Sequence, residues 1–335
     1  MTLSICGHTY DLHDPLLPIP ETYRPFLWDW LSEEAYVTVH TSGSTGTPKP
    51  IQLEKSRMAA HARMTGEFFN LKPGDKALVC LPAAYIAGKM MLIRGIMLGL
   101  DLTFVEPDSQ PLADVPLQDF AFAAMVPLQV EESLQYDRAA FERIQTVIIG
   151  GAPISHDLHQ QLQHCTNRLY ATYGMTETIT HIAVQDIKDD DAFTPLPGVT
   201  LRQDERHCLV IEAPAIVEEP VVTNDVVELN EQRFRWLGRY DNVINTGGIK
   251  VHPEQVEKVL APFIQQRFFI AGLPDEQLGQ VVTLVVEGKA VDLEALRLKV
   301  GLPKFHFPKQ QKVVPRFEET ETGKVQRQAT LGGLG

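Results

Sequence analysis

Hydrophobic residues recur alternately at helical and strand spacings between residues 36 and 173. Apolar positions three and four residues apart predict helices over Leu53 to Asn70 and Ile86 to Gly99, and apolar runs such as Ala77 to Leu81 predict buried strands. Short strands that alternate with helices are typical of an α/β fold whose mostly parallel sheet is covered by helices on both faces. The same pattern predicts strands at 35–40, 102–105, 120–126, 146–149 and 168–173, and helices at 128–136 and 156–164.

The pattern changes twice in the second half of the chain. From about Pro197, alternating segments such as CLVIEA and RFRWLGR predict a small β subdomain, either an antiparallel sheet or a barrel. After Gly238, an α+β module is predicted, with helices at 253–260 and 293–300, strands at 267–271 and 281–287, and a polar tail. We therefore predict a large N-terminal domain over residues 1–238 and a small C-terminal domain over residues 239–335. The proline-rich first 34 residues predict an irregular arm.

Composition narrows the class of protein. The 335 residues are 44% hydrophobic and 22% charged, which is ordinary for a globular chain. A net charge of −13 argues against nucleic acid as the main partner, because such proteins need a basic face. The longest apolar stretch, Ile86 to Leu100, is interrupted by Lys89 and Arg94 and is too short to span a membrane, and the N-terminus has no signal-peptide pattern, so we expect a cytoplasmic location. The four cysteines are widely spaced and suggest neither disulfides nor a zinc site.

Residues 41–49 read TSGSTGTPK and have the composition of an anion-binding loop. Glycines let backbone N–H groups turn toward a phosphate, hydroxyls add donors and Lys49 adds positive charge. The segment is no Walker A loop, because its lysine stands three residues after Gly46 and precedes Pro50. On composition alone, a plain Ser/Thr/Gly loop is the favoured interpretation. The residues that would contact the phosphates are Thr41, Ser42, Gly43, Ser44, Thr45, Gly46 and Lys49.

Four segments of the chain, in this order, resemble one family. They are TSGSTGTPK at 41, YGMTET at 173, GRYDNVINTGGIKVHPEQVE at 238 and ETGKVQR at 321. Together they resemble the adenylate-forming superfamily of acyl-CoA synthetases, nonribosomal adenylation domains and luciferases. The resemblance implies a large N-terminal domain, a mobile C-terminal domain, and a reaction in which a carboxylate and ATP form an acyl adenylate that is passed to a thiol. ATP, Mg²⁺ and CoA are the implied cofactor and co-substrates.

The resemblance also implies which residues serve the phosphates. Glu177 would be the Mg²⁺ ligand, since a hard cation that bridges phosphates needs only one or two protein carboxylates. Thr176 would bond the α-phosphate, and Lys324, from the C-terminal tail, would enter the site to neutralise charge during adenylation. The alternatives are a solvated carboxylate at a helix start for Glu177 and a solvated tail residue for Lys324.

The adenosine site and the hinge follow from the same resemblance. Asp225 and Arg239 would bind the ribose, although Asn224 stands where the family usually has glycine. Asp241 would be the hinge about which the C-terminal domain turns. The adenine would lie on the loop at 150–153, which includes Gly151 and Ala152, beside Tyr173 and Gly174, and Gly247 and Gly248 would line the thiol channel. A plain turn remains the alternative both for the loop at 150–153 and for Gly247 and Gly248.

The chain has only 40 residues before the anion-binding loop, where most relatives have well over a hundred. An N-terminal subdomain is therefore expected to be missing. Such shortened chains occur among relatives of o-succinylbenzoate CoA ligase of menaquinone biosynthesis. The segment at 81–95, LPAAYIAGKMMLIRG, resembles the pattern of that group. Tyr85 stands where that group often has histidine. Lys89 and Arg94 could hold the second carboxylate of such an acid, since neither is buried cheaply without a partner; alternatively Lys89 reaches solvent. A homodimer could complete the shortened front.

We therefore predict an AMP-forming acid–thiol ligase, with o-succinylbenzoate as the acid and CoA as the acceptor. The alternatives are a ligase for another aryl or fatty acid, an adenylation domain that loads a carrier protein, and a non-catalytic nucleotide-binding protein.

Overall fold

A large β-sheet with helices packed on it is the main feature of the fold, in a computed structural model that describes residues 1–40, 50–113, 115, 117–320 and 325–332. Contacts divide the described chain into two compact units. The first is formed by residues 1–40, 50–201 and 211–221, and the second by the other described residues from 202 onward. No described helix is long and apolar enough to cross a membrane. The predicted α/β class is confirmed, whereas the domain boundary between residues 238 and 239 stays a prediction.

The first unit contains the segments in which strands and helices alternate. Its strands are β1 (Thr2–Ile5), β2 (His8–Asp11), β3 (Tyr36–His40), β4 (Pro50–Glu54), β5 (Lys76–Val79), β6 (Asp101–Phe104), β7 (Phe120–Met125), β8 (Ile144–Ile149), β9 (Arg168–Gly174), β10 (His181–Asp186) and β11 (Thr194–Pro195). Its helices are α1 (Arg24–Leu31), α2 (Lys55–Phe69), α3 (Ile86–Leu98), α4 (Pro127–Glu142) and α5 (His156–Leu162).

Nine of these strands form one sheet in the order β11-β10-β9-β8-β7-β5-β6-β1-β2 within the described residues. Strands β9, β8, β7, β5, β6 and β1 are parallel, and β10, β11 and β2 are antiparallel to their neighbours. Leu158 and Leu162 of α5 and Phe141 of α4 pack with Val147 and Ile149 of β8, and full burial of each such side chain contributes roughly 2 kcal/mol. Because parallel strands end at one edge, the loops after β8 and β9 lie side by side.

The first 34 residues are not an irregular arm, so that prediction is wrong. Strands β1 and β2 extend the sheet, with Ser4 paired to Asp101 in parallel register. The Asp101 carboxylate holds this edge, because it accepts hydrogen bonds from Ser4 Oγ at 2.8 Å and from the Gly7 amide at 2.8 and 3.0 Å. Strands of four residues are too short to show a clear alternation in sequence.

The strand predicted at 35–40 does not belong to the large sheet. β3 pairs antiparallel with β4 in a separate two-stranded sheet, with Tyr36 opposite Glu54 and His40 opposite Pro50. The helix expected from Leu53 therefore begins two residues later, at Lys55.

The second unit contains most of a four-stranded sheet and a five-stranded sheet, counted over the described residues. The first has the order β12-β13-β14-β15, and the second runs β17-β16-β19-β18 with β20 beside β19. The parallel strand β20 lies in the stretch predicted to be a polar tail. It was missed because its sequence, QQKVV, shows no alternation of apolar and polar residues. The elements are β12 (Thr200–Gln203), β13 (Cys208–Glu212), β14 (Val221–Asn230), β15 (Arg233–Arg239), β16 (Ile244–Thr246), β17 (Ile249–Val251), α6 (Pro253–Leu260), β18 (Phe268–Asp275), β19 (Gly279–Glu287), α7 (Leu293–Arg297), β20 (Gln310–Val314) and α8 (Arg327–Gly332).

Candidate active site

The loop after β8 exposes backbone at the carboxyl edge of the sheet. Gly150 has no room for a side chain, because a Cβ there would lie 2.2 Å from Thr172 Oγ1 on β9. Gly151 has a φ of +85°, which side-chain-bearing residues rarely adopt. Gly151, Ala152 and Pro153 are exposed. The loop therefore exposes backbone and one small side chain, as the predicted adenine site requires.

The neighbouring strand β9 has the predicted adenine-stacking residue, Tyr173, as its last residue but one. Tyr173 is half-buried, and its ring meets that of Phe193 edge-on at 5.8 Å. At Gly174 the chain turns back so closely that a Cβ would lie 2.2 Å from Thr180 O and 2.4 Å from His181 Cα. The glycine in YGMTET is therefore required by the close approach of the chain at Thr180 and His181.

The turn that carries Thr176 and Glu177 is fixed by a buried hydroxyl. Thr178 Oγ1 accepts a hydrogen bond from Met175 N–H at 3.2 Å and lies 3.0 Å from Met175 O and 2.8 Å from Thr180 O. Glu177 is exposed. Among the described residues no three His, Cys, Asp or Glu side chains cluster to hold a metal. A lone carboxylate fits a magnesium ion whose other ligands are phosphates and water.

The predicted ribose residues lie together in the second unit. Asp225 on β14 is directly opposite Arg239 on β15, and Arg239 Nη1 lies 3.9 Å from Asp225 Oδ1. Asp225 is 7% exposed, and Trp236 Nε1 donates a hydrogen bond to the same oxygen at 3.0 Å. Arg239 Nη2 also lies 3.4 Å from Asp241 Oδ2. The site thus presents a buried, oriented carboxylate beside an exposed guanidinium.

The two glycines predicted to line a thiol channel form a tight hairpin turn. Gly247 and Gly248, with φ of +57° and +82°, join Thr246 of β16 to Ile249 of β17, which pair directly. Two successive positive φ angles are the requirement of a type I′ turn, so the turn alone explains both glycines. Their role at a thiol channel stays a prediction.

Eight of the predicted residues lie outside the described part of the chain. They are Thr41, Ser42, Gly43, Ser44, Thr45, Gly46, Lys49 and Lys324.

Two predicted acyl-site residues, Tyr85 and Lys89, lie at the turn that leads into α3 or contact it. Tyr85 is 49% exposed and precedes the first residue of α3. Lys89 Nζ donates to Ala83 O at 2.5 Å and lies 3.3 Å from Ala84 O, 5.5 Å above the Phe26 ring. These carbonyls already engage the ammonium group, so Lys89 stabilises the turn into α3.

Arg94 of α3 differs sharply from Lys89, because it is fully buried and lacks a carboxylate partner among the described residues. It is 1% exposed; Nη1 lies 3.5 Å from Met91 Sδ, while Nε and Nη2 have no described hydrogen-bond partner. Desolvation lowers the pKa of Arg94 to about 9, so the group is still charged at neutral pH. A buried charge of this kind is costly unless an anion pairs with it.

Two buried histidines, which the sequence analysis missed, connect Arg94 to the turn after β9. His61 of α2 donates from Nε2 to His181 O at 2.7 Å, and the two rings meet edge-on at 5.1 Å. Burial first, and then the charge of Arg94, lower the pKa of His61 to about 3. Burial first, and then electrostatic interaction with His61 and with Arg94, lower the pKa of His181 well below its usual range. His181 begins β10 against Gly174, and its Nε2 has no described partner. A buried, neutral polar group and a buried cation therefore lie beneath the YGMTET turn.

We expect this pair to make stability depend on pH. Because His61 stays neutral when folded but titrates near pH 6.5 when unfolded, its contribution to the free energy of unfolding is lost between about pH 6.5 and about pH 3. Each such histidine adds a slope of about 1.4 kcal/mol per pH unit within that window. Urea unfolding from pH 6 to pH 4.5 should therefore show a slope smaller by about that amount in His61→Leu than in the wild type. The exposed His13→Leu variant is the control, and equal slopes in all three proteins would contradict the expectation.

A family model described as AMP-binding enzyme matches residues 28–209, more than half of the chain. The chain belongs to this family. This AMP-binding enzyme is 29% identical over 288 residues to the 2-succinylbenzoate–CoA ligase of Salmonella typhimurium, in an alignment that covers 81% of the chain and 62% of the relative. It is 26% identical over 333 residues to the ligase of the same name from Listeria monocytogenes, in an alignment that covers 90% of the chain and 70% of the relative. The chain thus spans about two thirds of the length of these relatives.

Solved structures give the same assignment of fold. An acyl-CoA synthetase (AMP-forming)/AMP-acid ligase II-like protein from Dyadobacter fermentans is 38% identical, with 96% of each chain covered and a TM-score of 0.65. The O-succinylbenzoate coenzyme A synthetase of Bacillus subtilis, solved with ATP and magnesium ion, has a TM-score of 0.77 at 20% identity, over 88% of this chain and 69% of that one. The second likeness is one of fold alone.

Proposed function

We propose that this AMP-binding enzyme is an ATP-dependent acid–thiol ligase that converts o-succinylbenzoate to o-succinylbenzoyl-CoA through an acyl adenylate, a step of menaquinone biosynthesis. The family membership supports the adenylating chemistry, and the names of the Salmonella and Listeria relatives support the acid and the acceptor. The observation that carries the choice of a dicarboxylic acid is the buried guanidinium of Arg94.

Arg94 has the properties expected of a receptor for the carboxylate remote from the reacting one. Its two unpaired N–H-bearing nitrogens, Nε and Nη2, could bond both oxygens of a carboxylate, the geometry that guanidinium favours. His181, which lies beside the YGMTET turn, has a further unpaired nitrogen in the same buried region. An acid with two carboxylates would thus place one at the adenylation site and the other against Arg94, whereas a fatty acid would leave that charge unpaired.

The remaining residues serve the nucleotide in this proposal. The backbone at 150–153 and the ring of Tyr173 bind the adenine, while Asp225 and Arg239 bind the ribose. Glu177 would hold a magnesium ion, which when bound neutralises phosphate charge and screens the attacking carboxylate from repulsion. Thr176 donates to the α-phosphate, the hydroxyls of residues 41–47 and Lys49 bind the leaving pyrophosphate, and Lys324 neutralises charge at the α-phosphate.

Pyrophosphate exchange with a panel of carboxylic acids tests the proposal. We expect exchange with o-succinylbenzoate to exceed that with its analogue lacking the ring carboxylate by roughly a hundredfold, because an unpaired buried guanidinium disfavours the analogue. Release of AMP should then depend on CoA. Exchange with no acid would instead indicate a non-catalytic nucleotide-binding protein. AMP release that depends on a carrier protein would show that the acceptor is a carrier protein and not CoA.

A further inference from the structure

Asn224 departs from the family pattern, which usually has glycine at this position, and its side chain is engaged on both sides. Asn224 Oδ1 accepts a hydrogen bond from Arg206 Nη1 at 2.9 Å, and Nδ2 donates to Asp241 Oδ2 at 3.2 Å. Only this orientation of the amide satisfies both partners, because a guanidinium can only donate and a carboxylate can only accept. The residue that replaces glycine therefore joins a strand of the β subdomain to the predicted hinge carboxylate.

Arg206 is itself firmly held, so Asn224 is joined to a rigid base. Its Nε donates to Asp204 Oδ2 at 2.9 Å, and Nη2 donates to the backbone oxygen of Thr223 at 3.1 Å. The guanidinium also lies 5.2 Å from the ring centroid of Tyr240, the residue next to Asp241. Tyr240, through its ring, and the predicted hinge residue Asp241, through its carboxylate, thus contact the Arg206 and Asn224 pair.

The segment 239–242 has a second polar contact on its other side. Asn242 Nδ2 donates to Glu254 Oε1 of α6 at 2.6 Å. Tyr240 and Arg206 also line a groove of about 550 Å³ in the second unit, which leaves space beside the segment. The short helical turn Tyr240–Asn242 is therefore held between two sets of hydrogen bonds with open space next to it.

We propose that Asn224 is a positioning residue that holds Asp241 in the backbone conformation seen here. It thereby sets the balance between two conformations of the hinge, one used for adenylation and the other for transfer to the thiol. The inference rests on the proposed two-step reaction for its catalytic consequence, although the structural tie does not depend on it. A glycine at this position leaves Asp241 without its amide donor and Arg206 without its amide acceptor. The chain thus has a restraint on the hinge that a relative with glycine lacks.

The test compares Asn224→Gly with Asn230→Gly, which makes the same change at the exposed end of the same strand, β14. Hydrogen–deuterium exchange at the amides of Tyr240 to Val243 should rise roughly threefold to tenfold in Asn224→Gly, since the net loss of one hydrogen bond changes a local opening equilibrium by about that factor. In single-turnover assays the ratio of adenylation rate to transfer rate should change by a similar factor. Asn230→Gly should match the wild type in both measurements.

A second variant keeps the test decisive if glycine lowers the stability of the strand. Asn224→Asp retains an acceptor for Arg206 but places a carboxylate against Asp241, so it should raise exchange at the same amides. Unchanged exchange in both Asn224 variants would overturn the proposal, as would a parallel fall of both half-reaction rates with their ratio intact. If the wild type adenylates no acid, the proposed function fails while the exchange measurement still decides whether Asn224 holds the hinge.

Discussion

Replacement of Lys324 by alanine should abolish adenylate formation while sparing transfer of the acyl group from a supplied acyl adenylate. The attacking carboxylate and the triphosphate are both anionic, so the bond to the α-phosphorus forms only if a cation offsets their repulsion at that point. Loss of such a positioned charge costs roughly a hundredfold or more in rate. Transfer to the thiol starts after pyrophosphate has left and does not require the same cation.

The matched control is Lys312→Ala, which removes an exposed lysine from β20 in the same unit. Pyrophosphate exchange measures the first half-reaction, and CoA-dependent release of AMP from synthetic acyl adenylate measures the second. Lys312→Ala should match the wild type in both. An equal loss in both assays for Lys324→Ala would assign the lysine to folding or to binding of the whole substrate.

The periodicity of the sequence predicted elements wherever they are long or strongly apolar. Helices α2, α3 and α6 and strands β7 to β9 lie within two residues of their predicted bounds. The edge strands β1 and β2 were missed because a strand of four residues has too few positions to show a period. The partner of β3 was predicted wrongly because the pairing of a strand depends on residues outside the strand itself. The end of β4 was predicted to be the start of the helix that follows it.

Candidate site residues could be named from the sequence where they lie in a local motif, and their roles stay predictions, whereas properties that come from burial could not be predicted. The YGMTET turn and the Asp225–Arg239 pair are short sequence patterns, and their members are adjacent in the structure. His61 and His181 are 120 residues apart and lie in no motif, so nothing in the sequence places them beside each other. Arg94 and Lys89 look alike in sequence, yet the packing of α3 buries one and leaves the other on the carbonyls of Ala83 and Ala84.

Replacement of Arg94 by methionine should abolish the preference for a dicarboxylic acid without lowering stability. The fall in kcat/KM for o-succinylbenzoate should be roughly a hundredfold or more, because its remote carboxylate would be desolvated without a partner. The monocarboxylate analogue should change little. The melting temperature should stay level or rise, since a buried guanidinium with two unpaired nitrogens is replaced by an apolar chain of similar length.

The combination of these results separates a binding role from a structural one. A residue that stabilises the fold would lower the melting temperature and the rates with both acids together. Arg63→Met, on the exposed face of α2, makes the same chemical change outside the buried cluster and should match the wild type. If Arg94→Met keeps its preference for the diacid, the remote carboxylate binds elsewhere and the argument from the buried guanidinium is wrong.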